Sequence, residues 1–187
     1  MKVEMGEVKV CAEGKGDALL ETYGVTTCIV IMLYGTYDNT PFILMDHWNG
    51  EINGDKDLFM RFKLVHYICQ IQNSVIDDFD PDIHDDIPIY IEKVVIIGGE
   101  KEQFDEHGDL LVDGTEASLN WLKANLIPEI NNQCTLTKNA TQSWDNYLTS
   151  GDQSLIVQIG INGVASYALE ENPSDLDDSD NSDYTPS

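Results

Sequence analysis

Residues 28–34 read CIVIMLY, an unbroken apolar run rich in β-branched side chains. A strand that is apolar on consecutive positions must be covered on both faces. After the turn TYDNTP comes a second such run, PFILMDHW at 41–48, so the two are expected to form a hairpin. A chain built around such a pair needs layers above and below it. Two helices supply part of that cover. DKDLFMRFKLVHYICQIQNSV has Leu58, Phe62, Val65 and Cys69 at helical spacing, with aspartates at its start. DGTEASLNWLKANLIPEI has Thr115 at the N-cap position and Leu119, Leu122 and Leu126 as its apolar stripe. VEMGEVKV at the N-terminus, IYIEKVVIIGG, QCTLTKN, SLIVQIGI and GVASYAL read as further strands, the last two joined by a turn between Gly160 and Gly163. The expected fold class is α+β: a layered β-sheet core of about six or seven strands with two main helices packed outside.

The charge narrows the partners. Ten Lys and Arg stand against 34 Asp and Glu, a formal net charge of −24 in 187 residues. A field of that sign repels phosphate backbones and attracts basic protein surfaces, so the expected partner is a protein with a basic surface and not a nucleic acid. The longest apolar runs are too short to span a bilayer, and no secretory leader is evident, which favours a soluble chain in a cytoplasmic compartment, bacterial or that of a host. Cys11, Cys28, Cys69 and Cys134 are widely spaced and read as reduced thiols. The last eighteen residues, 170–187, carry seven acids and no base, and are expected to form a disordered acidic tail behind one domain over 1–169.

Within the hairpin, Cys28 stands at the mouth of the first strand and His47 at the end of the second. Antiparallel pairing around TYDN puts both at one end of the ladder, roughly opposite each other. A thiol and an imidazole within reach of each other can form a thiolate–imidazolium pair. Any hairpin joins such positions, and a cysteine there is equally a small core residue. Thr22 precedes Cys28 by six positions in a loop, where Gly24 lets the chain turn back and bring a hydroxyl to the imidazole.

Thr22-Tyr23-Gly24 leading to Cys28, then an apolar strand, a hairpin and His47, resembles the chemoreceptor glutamine deamidase CheD and the cytotoxic necrotizing factor type of bacterial deamidase toxin. The likeness runs in order over roughly residues 1–168 through the two helices, KVVIIGGE and SLIVQIGINGVASY. It implies a hydrolase that deamidates glutamine side chains of a protein to glutamate without a cofactor or metal. Carried over by position, Cys28 is the nucleophile, His47 the base and acid, and Thr22 the group that orients His47. Thr26 and Thr27 occupy positions where the family commonly has Gly-Ser beside the nucleophile, and Trp48 next to His47 could line the substrate cleft. Phe42-Ile43-Leu44 replace glycines before the histidine, and TQSWDNYL replaces a glycine-rich turn. The same nucleophile and base would also serve transglutamination or peptide and isopeptide cleavage.

A different class of reading follows from charge alone: a non-catalytic acidic binding or inhibitory module on a deamidase-like fold, engaging a basic partner. The remaining motifs are weak. DDFDPDIHDD has carboxylates at 78, 80 and 82 but lacks the glycine and glutamate of a calcium loop. His66, His84 and His107 show no zinc spacing with the cysteines.

Overall fold

In the computed structural model, residues 1–52, 54–78, 80, 86–112, 114–145 and 154–170 are described. The acidic tail beyond residue 170, and Asp82 and His84 of the acidic loop, lie outside them.

The chain runs β1 (Val8–Ala12), β2 (Leu19–Val25), β3 (Ile29–Tyr37), β4 (Thr40–Trp48), α1 (Lys56–Val75), β5 (Ile89–Gly98), β6 (Gln103–Phe104), β7 (Leu110–Val112), α2 (Glu116–Gln133), β8 (Thr135–Asp145), β9 (Leu155–Gly160) and β10 (Ala165–Leu169). The α+β class with two helices holds, but ten strands are described, more than the count read from the sequence. β2 was hidden because LLETYGV has neither an apolar run nor strict alternation. β6 and β7 are too short for any period.

Five strands form one sheet in the order β1-β4-β3-β5-β8, and β10-β9-β2 form a second. The alternation of side chains across β3 fills two cores. Ile29, Ile31 and Leu33 face α1 and α2 and join Leu64, Tyr67, Leu122 and Leu126. Val30 and Met32 face the three-stranded sheet and join Leu20, Val25, Val157 and Ile159. The result is three layers: helices, five-stranded sheet, three-stranded sheet. The β3–β4 hairpin turns on Asp38 and Asn39, both at positive φ (47° and 58°), the backbone a two-residue hairpin requires.

Two local expectations need correction, and a third, Thr115 as N-cap, holds by position. The stripe Leu58, Phe62, Val65 and Cys69 on α1 faces solvent; Phe62 is 65% exposed. Met60, Leu64, Tyr67, Ile71 and Val75 are buried instead. The helix is apolar on two sides, so spacing alone could not choose between them, and the side with the larger Tyr67 and Ile71 faces the core. Thr115 stands at the N-cap of α2, yet its side chain makes no capping bond. The strand expected over VEMGEVKV begins only at Val8. Before it, Gly6 at φ +83° allows a tight turn closed by Glu7 N–H donating to the Glu4 carbonyl at 3.0 Å.

Candidate active site

Thr22 lies on β2, not in a loop, and is fully buried between the two sheets. Gly24, at φ +67°, follows it where the β2–β9 register shifts, so the chain turns after the threonine as expected but from a strand. Opposite, on β4, His47 is 2% exposed. Thr22 Oγ1 sits 2.7 Å from His47 Nδ1 and donates to the Val3 carbonyl at 2.7 Å. A hydroxyl has one proton to give. Since it goes to Val3, the bond to the ring must run from Nδ1–H to the oxygen. This assignment leaves Nε2 unprotonated, with its lone pair free. Among the described residues Nε2 is also the one buried side-chain polar atom without a hydrogen-bond partner.

Cys28 stands one residue before β3 and is 7% exposed. The register pairs Val30, not Cys28, with His47. Cys28 is therefore diagonal to the histidine and not opposite it. Both residues belong to the side of the sheet that faces β2, because Val30 does and alternate residues share a face. The Cys28 thiol meets Met5 Sδ at 3.5 Å. Burial raises the thiol pKa above its ordinary 9.0, opposed only by a hydrogen bond from Thr27. Burial likewise lowers the His47 pKa below 6.5, with Asp46 the largest opposing influence. Burial in a largely apolar core thus favours the neutral form of each group.

The backbone around Cys28 is held from one side. Thr115 Oγ1 donates to the Thr27 carbonyl at 2.5 Å and accepts from Glu100 N–H at 3.0 Å. Gly99 N–H donates to the Cys28 carbonyl at 2.9 Å. In a planar trans peptide the C=O and N–H point in opposite directions. The Cys28 N–H therefore points away from Thr115. Gly98 has φ +103°, and a Cβ there would collide with the Cys28 carbonyl oxygen. These are the contacts that the sequence motif IIGG supplies and that sequence reasoning did not assign.

Thr26 and Thr27 are half-buried in the bend before β3. Thr27 borders a cavity of about 550 Å³ lined also by Asn49, Glu51, Lys56, Thr115 and Ser118. Trp48 does not share the space of His47. As its strand neighbour it faces the helices, 6% exposed, against Phe59 and beneath the Lys63 ammonium. Asp46, on that same side, pairs with Lys63 at 2.5 Å and accepts a short hydrogen bond from the Tyr67 hydroxyl. His66 and His107 are exposed and remote from this cluster in the chain. No group of three or more potential metal ligands occurs among the described residues, and no helix there is long and apolar enough to cross a membrane.

Compared with known proteins, the chain matches no family model and no curated protein sequence.

Proposed function

We propose that this protein is a cysteine hydrolase that deamidates glutamine side chains of a protein substrate. One observation carries the reading: Thr22 holds Nδ1 of His47, and Nε2 is left without a partner on the side of the sheet that also carries Cys28. A neutral thiol next to a neutral imidazole is the resting form of a general-base pair. As substrate enters, Nε2 takes the thiol proton. The thiolate adds to the carboxamide carbon, and the Cys28 N–H is placed to donate to the resulting oxyanion. His47 passes the proton to the amide nitrogen. The C–N bond breaks, ammonia leaves, and a thioester remains. Water, deprotonated by His47, adds to the thioester and releases glutamate and the Cys28 thiol. The resemblance to the CheD type of deamidase supports the choice of glutamine, and the −24 charge supports a basic substrate surface.

The test is ammonia release from glutamine-bearing basic proteins by the wild type, Cys28→Ala and His47→Ala. Both variants should lose the activity. Release that persists in Cys28→Ala defeats the reading.

The charge supports a second reading, an acidic binding module. It calls for a salt-sensitive complex with a basic protein that survives Cys28→Ala; a complex indifferent to salt argues against it.

A further inference from the structure

One side chain of the N-terminal segment, Met5, reaches the Cys28 thiol. The turn Glu4–Met5–Gly6–Glu7 is pinned at both ends to the strands that carry the candidate site. Gly6 N–H donates to the His47 carbonyl at 2.7 Å, and His47 N–H donates to the Glu7 carbonyl at 3.2 Å. Val3, fully buried, donates its N–H to Glu21 and accepts from Thr22 Oγ1. Between these anchors Met5 is 64% exposed as a residue, yet its sulfur lies 3.5 Å from the Cys28 thiol. The turn thus has fixed ends and an exposed tip, and the tip touches the Cys28 thiol.

A methionine matches a glutamine atom for atom up to the δ position. Both side chains are unbranched, and the methionine sulfur stands where glutamine has its carboxamide carbon. That carbon is the atom a thiolate attacks. A thioether offers no acyl carbon and no leaving amine, so Met5 can hold the place without reacting. We infer that Met5 occupies the slot of the substrate carboxamide, and that the turn 4–7 is an internal cover which the substrate glutamine displaces. The inference rests on the deamidase reading for the chemistry of the occupant, though not for the existence of the cover.

The cover accounts for two features of the resting site. A thiol closed off by an apolar side chain stays neutral, in keeping with its raised pKa. A displaced tip admits substrate while Val3 and Glu7 keep Thr22 and His47 in place, because the two anchors do not depend on the Met5 side chain. The device also sets the class of substrate: an unbranched side chain with its reactive carbon at the δ position. Asparagine, one methylene shorter, falls short of the thiol.

Two measurements on the full-length chain test this. In the first, iodoacetamide labelling of Cys28 is followed by peptide-resolved mass spectrometry, with exposed Cys69 as the internal reference. Met5→Ala should label Cys28 at least about tenfold faster than wild type, and Met5→Leu, which keeps an apolar plug, should stay near wild type. Equal rates in all three overturn the cover. In the second, Met5→Gln places a carboxamide on Cys28 in the same chain. Residue 5 should be recovered as glutamate, with release of ammonia, and should remain glutamine when Cys28→Ala is added. Faster labelling of Met5→Ala, with the glutamine of Met5→Gln left unconverted, overturns the carboxamide assignment and leaves the cover standing; the deamidase reading itself falls only on the external-substrate test. Deamidation of external substrate with equal labelling rates does the reverse.

Discussion

Thr22 gives its only proton to the Val3 carbonyl and takes one from Nδ1 of His47, so a threonine sets which ring nitrogen of the histidine is basic. The ring is buried, and its tautomer is decided by that single hydroxyl.

Replacing Thr22 tests this directly. Thr22→Val keeps the shape but leaves Nδ1–H and the Val3 carbonyl unpaired. We expect kcat to fall by about 10²–10⁴, the range general-base catalysis covers, with a smaller change in KM. Thr22→Ser restores the hydroxyl and should recover most of the rate. A packing effect would give the opposite order, because valine keeps the Thr22 methyl and serine loses it.

The pH dependence of folding should carry the mark of His47. Its folded pKa is depressed below 6.5, chiefly by burial. Below that value the unfolded chain binds a proton that the folded chain refuses, so stability falls as pH falls. Urea midpoints for wild type and His47→Asn, taken from about pH 7 to about pH 5, should converge toward acid, the wild type losing more. Parallel curves would remove His47 from the balance.

At alkaline pH, Tyr67 acts in the opposite direction. Burial, then the Asp46 carboxylate, hold its hydroxyl well above the ordinary 10.0. The stability it lends is present below 10.0 and is lost as pH rises past that value, where the unfolded chain ionises first. Tyr67→Phe should flatten the alkaline limb of the denaturation curve.

Removing Lys63 leaves the Asp46 carboxylate, 2% exposed, without its counter-charge. Lys63→Met should cost about 3–5 kcal/mol, and adding Asp46→Asn should return much of it. The comparison separates the ion pair from the stacking of Lys63 on Trp48, which both variants lose.

Gly98→Ala should disturb Cys28 more than its distance along the chain suggests. The added Cβ runs into the Cys28 carbonyl oxygen in a backbone conformation that alanine resists. A loss of about 1–3 kcal/mol is expected, with Cys28 labelling altered even in the folded fraction. Gly24→Ala also places alanine at positive φ (+67°) but with open space around it, and serves as the control.

The hairpin was plain in the sequence because CIVIMLY and PFILMDHW are buried on both faces and leave one pairing. Its end brought Cys28 and His47 to one side of the sheet. The one-residue detail, Val30 and not Cys28 opposite His47, was out of reach, since loop length sets register and TYDNTP allows more than one. Thr22 could be named by its place in a motif but not placed on a strand. Its burial depends on β9, far along the chain, and long-range pairing leaves no local trace. The α1 face failed for the reason given above: apolar residues on two sides. Truncations will show the difference. Phe62→Ser should change stability by less than about 0.5 kcal/mol, while Leu64→Ala should cost about 2–5 kcal/mol.

The pairing of β2 with β9 also places the candidate site in time. Val3, Thr22, Cys28 and His47 are all made well before β9, the strand that hydrogen-bonds β2 within its sheet. Until Leu155–Gly160 emerges, Thr22 has no sheet to hold it against His47, and the nascent chain carries Cys28 and an unoriented imidazole. The order of synthesis thereby delays the ordering of His47 until Leu155–Gly160 has been made.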